Sequence, residues 1–145
     1  MKDMSYQLID LATDFKGETA GGVAEAMRGL YDKEGYAPPW VGYFAKNENG
    51  EIAGSCSFKS PPKNGRVEIA YFVFPEFEGM GIATNMATYL IKVAMEKDKD
   101  ISIFAQTLPE NNASTSILKK LGFKMIGTVE HPEDGSVWEW ILDSR

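Results

Sequence analysis

Tyr71-Phe-Val-Phe-Pro-Glu-Phe-Glu-Gly-Met-Gly-Ile-Ala83 joins a strand to a helix through a glycine turn. Its opening residues are aromatic or β-branched, as strands prefer, and Pro75 ends the strand because proline has no N–H for a ladder. Gly79 and Gly81 then supply a turn without Cβ atoms. The helix that opens at Ile82 leaves its first N–H groups without intrahelical partners, at the positive end of the helix dipole. Such a ring of donors suits a phosphate or pyrophosphate. Residues Glu78, Gly79, Met80, Gly81, Ile82 and Ala83 are therefore the candidate anion cradle. A Cβ at 79 or 81 would hold phosphate oxygens away from the backbone. The alternative is an ordinary strand-to-helix turn.

Outward from this stretch, strands and helices alternate without repeats or a linker. Strands are expected over 5–9, 40–46, 51–58, 67–74, 101–106, 124–129 and 137–142. Asn47-Glu-Asn-Gly50 reads as a hairpin turn between the second and third of these. Helices are expected over 19–31, 82–97 and 114–121, from apolar residues three and four apart, such as Ile82, Met86, Leu90 and Val93. Gly122 sits where a C′ glycine would end the third helix. The order β-α-β-β-β-α-β-α-β-β implies an α/β chain, a mixed sheet flanked by helices.

The 145 residues, 43% of them hydrophobic, suit one compact domain spanning 1–145. A net charge of −6 argues against broad binding to nucleic acid or an anionic membrane. One cysteine, Cys56, leaves no intramolecular disulfide, which fits a reducing cytoplasm, and no leader or membrane-spanning run is expected. Cys56 reads as a small buried hydrophobe and the lone His131, in an expected loop, as structural. No metal-ligand spacing is present.

A second segment completes the pattern: Asn111-Asn-Ala-Ser-Thr-Ser-Ile-Leu-Lys-Lys-Leu-Gly-Phe123. With the glycine turn and a Glu-bearing strand before it, the stretch from Glu68 to Phe123 resembles the Gcn5-related N-acetyltransferase (GNAT) superfamily, in its ribosomal-protein acetyltransferase-like branch. The resemblance implies a mostly antiparallel sheet whose strands splay at the cofactor site. It also implies acetyl-CoA as cosubstrate, no metal, and transfer of the acetyl group to a small-molecule or peptide amine. On that implication, backbone groups of Phe72, Val73 and Phe74 pair with the pantetheine arm, and Val73 N–H polarises the thioester carbonyl. Asn111 matches an asparagine that contacts pantetheine, or is a turn residue after Pro109. Lys119 and Lys120 either meet the 3′-phosphate or are plain surface. Two departures stand out. Glu78 occupies a place the family usually gives to Gln or Arg, and Leu118 one where many relatives carry Tyr. They keep a second function class open, a non-catalytic acetyl-CoA-binding or interaction module.

Glu68 is the candidate base. It interrupts an apolar strand, and alternation puts it on the face opposite Ile69 and Tyr71, where partial burial raises a carboxyl pKa. The resemblance gives the same role to it; otherwise it is a solvated glutamate at a strand mouth. Ser114 either hydrogen-bonds the sulfur, as the resemblance implies, or caps the helix that begins there. The resemblance also places the acceptor near the first helix and the last strands. Tyr31, Tyr36 and Trp40 are the candidate substrate residues there, with Trp138 and Trp140 near them, as cation–π partners for an ammonium or as core. Glu34, Glu130 and Glu139 would favour a basic acceptor. Exposed edge strands near the C-terminus allow a homodimer.

Overall fold

The computed structural model describes residues 4–142, so the outermost three residues at each end of the expected domain lie outside the described part. Seven strands and three helices follow in the expected order: β1 (Ser5–Leu8), α1 (Glu18–Glu34), β2 (Gly42–Lys46), β3 (Ile52–Phe58), β4 (Arg66–Val73), α2 (Ile82–Lys97), β5 (Ser102–Thr107), α3 (Ala113–Lys120), β6 (Lys124–His131) and β7 (Gly135–Leu142). One sheet takes them in the order β1-β2-β3-β4-β5-β7-β6. Only β4 and β5 run parallel; every other neighbouring pair is antiparallel. The mixed, mostly antiparallel sheet expected from the sequence is thus present.

Alternation in β2 shows how the two faces are covered. Tyr43 and Ala45 join the cluster built on Ile82, Met86, Leu90 and Ala94 of α2, with Val67, Ile69 and Ile103. Phe44 points the other way, into a cluster with Ala20 and Ala24 of α1, Phe15 and Phe74. In β4, odd-numbered residues therefore face α2 and even-numbered ones face α1, because strand side chains alternate. Glu68 stands on the α1 face.

Several boundaries moved. Helix α1 runs on to Glu34, since Asp32, Lys33 and Glu34 are polar and give no apolar period, and Gly35 ends it at φ 105°. Strand β2 starts at Gly42 because residues before it turn, with Trp40 N–H donating to Ala37 O at 2.9 Å. Strand β6 continues to His131, so His131 ends a strand and does not lie in the expected loop. The third helix starts one residue early. Its N-cap is Asn112, whose side chain accepts from Thr115 N–H while Thr115 returns the bond. Ser114 is inside the helix and does not cap it. At the other end Gly122 N–H and Phe123 N–H donate back to Lys119 O and Leu118 O, a Schellman ending with Gly122 at φ 98°.

Candidate active site

The site begins as a fork in the sheet. Strand β4 extends to Val73, but it pairs with β5 only over Arg66, Val67 and Glu68. Beyond Glu68 the parallel strands part. Which backbone groups this frees follows from the hydrogen bonds on either side. Phe74 N–H donates to Ala53 O and Lys59 N–H to Glu68 O, both at 2.9 Å, so even-numbered residues of β4 spend their backbone groups on β3. Gly54 confirms the direction, because a Cβ there would fall 2.5 Å from Phe72 O. Odd-numbered residues face β5, as Ser102 N–H bonding Gly65 O shows. Past the fork, Ile69, Tyr71 and Val73 therefore present N–H and C=O groups to an unfilled edge. An extended chain of amides would fit that edge as a strand does. Val73 is among the residues on this free edge. Phe72 and Phe74 are corrected: their backbone groups point to β3, and Phe74 is also buried in the α1 cluster.

A cleft of about 510 Å³ opens along this edge. Tyr71, Phe72 and Val73 line it from β4, Glu78, Gly79, Gly81, Ile82, Ala83 and Thr84 from the turn and α2, and Ala113, Ser114 and Ile117 from α3. Gly81 is the N-cap of α2, left-handed at φ 76°, and no side chain caps the helix. The helical ladder starts with Asn85 N–H donating to Gly81 O, so the N–H groups of residues 82–84 precede it. Gly79, at φ 83°, has nothing within 4 Å of where its Cβ would stand, which is the space an anion would take. Glu78 is exposed and lines the same cleft, beside those donors. Met80 turns away; its exposed side chain lines a separate cavity with Met4 and Asn47.

Tyr71 is a residue that reading the sequence missed. Its hydroxyl crosses the cleft to donate to Ser114 O at 3.4 Å, linking β4 to α3. Burial pushes its pKa up to about 12, against the opposing effect of that bond, so the hydroxyl keeps its proton at neutral pH. The signal available in the sequence was its alternation with Val73. Leu118 is fully buried in the core.

Glu68 lies on the other side of the fork and does not share the cleft with Ser114. It lines a cavity of about 390 Å³ with Leu30, Glu34, Lys59, Lys63, Arg66 and Phe104. It also lines one of about 220 Å³ with Lys59, Ala70, Gln106, His131 and Asp134. Burial raises its pKa above the ordinary carboxylate value; Lys59, His131 and Arg66 oppose this and Glu139 adds to it. His131 holds the β6–β7 turn, its Nδ1 accepting from the N–H groups of Glu133 and Asp134 at 3.1 and 3.2 Å. Cys56 is buried and its thiol pKa is raised by burial alone.

Tyr31 and Trp40 are corrected as substrate residues. Tyr31 is 6% exposed, and its hydroxyl donates to Ile9 O and accepts from Gly42 N–H, a structural use of the phenol. Trp40 is 9% exposed and packs edge-on against Phe58. Tyr36 is half-buried against Tyr31 and lines neither cavity beside Glu68. Trp140 is core, its indole N–H donating to Thr107 Oγ1. Asn111 is exposed and outside the cleft lining, because its neighbour Asn112 takes the capping position. Lys119 and Lys120 are exposed and equally outside that lining. Among the described residues no group of three or more His, Cys, Asp or Glu is placed to hold a metal, and no helix is long and apolar enough to cross a membrane.

A family model described as acetyltransferase (GNAT) domain matches residues 11–124. No curated protein matches the chain. Among solved structures, it is similar to a chimera of the spermidine N-acetyltransferase SpeG of Vibrio cholerae with hSSAT, at 11% identity and a TM-score of 0.73, over 97% of this chain and 95% of that one. The ribosomal L7/L12 alpha-N-protein acetyltransferase RimL, solved with coenzyme A, is similar at 22% identity and a TM-score of 0.67, over 86% and 71%. The ribosomal-protein-S5-alanine acetyltransferase of Vibrio fischeri is similar at 16% identity and a TM-score of 0.67, over 86% and 70%. At these identities the likeness is one of fold.

Proposed function

Because the chain belongs to the acetyltransferase (GNAT) family, we propose that it transfers an acetyl group from acetyl-CoA to a primary amine of a small molecule or peptide, directly, with both bound at once. One observation carries this reading: the unpaired edge of β4 and the uncapped N-terminus of α2 line a single cleft. The edge suits the pantetheine amides and the helix end suits the pyrophosphate. Acetyl-CoA supplies the activated acyl group; every other requirement falls on this chain's residues. Val73 N–H, on the free edge, is the donor toward the thioester carbonyl. Glu68, at the crotch of the fork, takes the proton of the incoming ammonium, directly or through one water, from the acceptor side.

Tyr71 is the donor toward the sulfur. With a pKa near 12 it stays protonated at neutral pH and stabilises the leaving thiolate by a hydrogen bond. Its one O–H proton must leave Ser114 O, 3.4 Å away, to reach the sulfur, so that long bond holds the hydroxyl across the cleft only until charge develops. Tyr71→Phe should lower kcat about tenfold while leaving the Kd of acetyl-CoA nearly unchanged, because the lost bond forms only as charge develops on sulfur. An unaltered kcat under single-turnover conditions removes Tyr71 from the chemistry. A homodimer along the exposed edge strand β6, where Met125 and Ile126 are uncovered, belongs to the same reading.

Calorimetric titration with acetyl-CoA tests the reading directly. Micromolar affinity is expected, with 3′-dephospho-CoA binding almost as well, since Lys119 and Lys120 stay outside the cleft. Glu78→Gln should tighten binding about fivefold, because a carboxylate about 4 Å from a phosphate costs about 1 kcal/mol in water-like surroundings. No binding at millimolar acetyl-CoA would reject the transferase and the acetyl-CoA-binding module together. Binding without thiol release over a broad amine panel would leave the module.

A further inference from the structure

We infer that the acceptor carries an anionic group, a carboxylate or a phosphate, close to its amine, and that Lys59 receives that group beside Glu68. The inference rests on the transferase reading and names the class of amine it acts on.

Two of the acids that would welcome a polycation, Glu34 and Glu139, are already paired with cations. Glu34 is held by Lys63 Nζ at 2.7 Å, and Glu139 by Arg66 at 3.5 Å. Glu130 accepts only from the neutral Ser136 Oγ, at 2.6 Å, and Asp134 lies beside a His131 Nδ1 that already accepts two backbone N–H bonds, so these two carboxylates keep their charge toward the β6–β7 turn. Arg66 is further fixed over the Phe104 ring, 4.3 Å from its centroid. What remains around the base is one uncommitted cation. Lys59 is exposed, and among the described residues it makes no ion pair within 4 Å. Its N–H bonds Glu68 O at 2.9 Å, which sets it beside Glu68 just past the end of β3.

Lys59 also lines both cavities that flank Glu68, and its charge acts on that carboxyl. A second ammonium on the acceptor would meet Lys59, Lys63 and Arg66 in the cavity beside α1, where Glu34 is already paired. An anion a few bonds from the amine would instead find Lys59 free while Glu68 takes the amine's proton. The pair of opposite charges matches an acceptor with the same pair reversed, and like charges placed together reject the others.

The test is thiol release at saturating acetyl-CoA, with wild type, Lys59→Met and Lys59→Glu. The panel sets α- and ω-amino acids against their own amides, with O-phosphorylated amino alcohols and diamines alongside. Wild type should favour the anionic member of each pair by at least about tenfold in kcat/KM, a difference of about 1.4 kcal/mol. Lys59→Met should abolish most of that preference through KM, and Lys59→Glu should invert it toward diamines. Whether amino acids or phosphorylated amines lead identifies the anion as carboxylate or phosphate. Amides or diamines turning over as well as the anionic acceptors, or a preference that survives Lys59→Met, overturns the inference and leaves the transferase standing. Bound acetyl-CoA with no thiol release from any acceptor overturns the transferase reading and this one with it.

Discussion

Glu68→Gln is expected to lower kcat by about 10²–10³-fold while the Kd of acetyl-CoA changes less than about twofold, the signature of a lost general base. Glu68 lines the two cavities across the fork and not the cleft at the glycine turn, which is why the two effects should separate. The pH profile gives the sharper reading. A base works when ionised, and burial holds the Glu68 pKa above the ordinary carboxylate value, against Lys59, His131 and Arg66 and with Glu139. The acid limb of kcat/KM should therefore lie above the usual carboxylate range, with activity rising as pH passes through it, and it should vanish in Glu68→Gln.

Stability runs the other way. A carboxyl whose pKa is raised by folding contributes its full stability below the unfolded pKa and loses it as pH rises through the folded one. The neutral glutamine avoids that loss, so at neutral pH the variant should melt no lower than wild type. A kcat unchanged at every pH would remove Glu68 from the chemistry; a lowered melting temperature would assign its effect to the fold.

The second large effect belongs to the glycine turn. In Gly81→Val a β-branched residue must take the left-handed conformation of the N-cap, φ 76°, which costs about 1–2 kcal/mol or more. For a chain of this size each kcal/mol is worth about 3–4 °C in Tm, so melting should fall by about 5 °C. The side chain also stands beside the free N–H groups that open α2, and the Kd of acetyl-CoA should rise at least about tenfold, the loss of roughly one charge-assisted hydrogen bond. An acetyl-CoA Kd within twofold of wild type, in a variant that melts lower, would mean that the turn shapes the chain and holds no pyrophosphate. Gly79→Ala separates the two contributions, since no atom lies within 4 Å of its added Cβ and only the backbone conformation resists it.

Much of this site was legible in the chain, and the legible parts share a cause. The glycine turn, the strand before it and the helix after it are local: φ > 0 calls for glycine, and apolar spacing names the element. The GNAT resemblance rests on the same short segments. Glu68 was legible because a carboxyl interrupts an apolar strand. The cap of α3 was misread by two residues, since Asn112 and Ser114 are both capping types and only the Thr115 partner selects between them. Tyr31 and Trp40 carried no sign of their burial. An aromatic ring beside a pocket and one under it look alike in sequence, and Tyr31 is spent on Ile9 O and Gly42 N–H, groups from two segments far from it in sequence.

The order of elements, the glycine turn and the place of Glu68 within its strand were thus determined by the sequence by itself, because they follow from periodicity and backbone conformation within short windows. Tertiary structure alone decided that β4 parts from β5 after Glu68, so that Tyr71 and Val73 offer a free edge while Phe72 and Phe74 do not. It also decided that Glu34 and Glu139 are consumed by Lys63 and Arg66 while Lys59 stays free. Both outcomes depend on which distant residues the sheet brings opposite one another, a matter of long-range register that no local window contains.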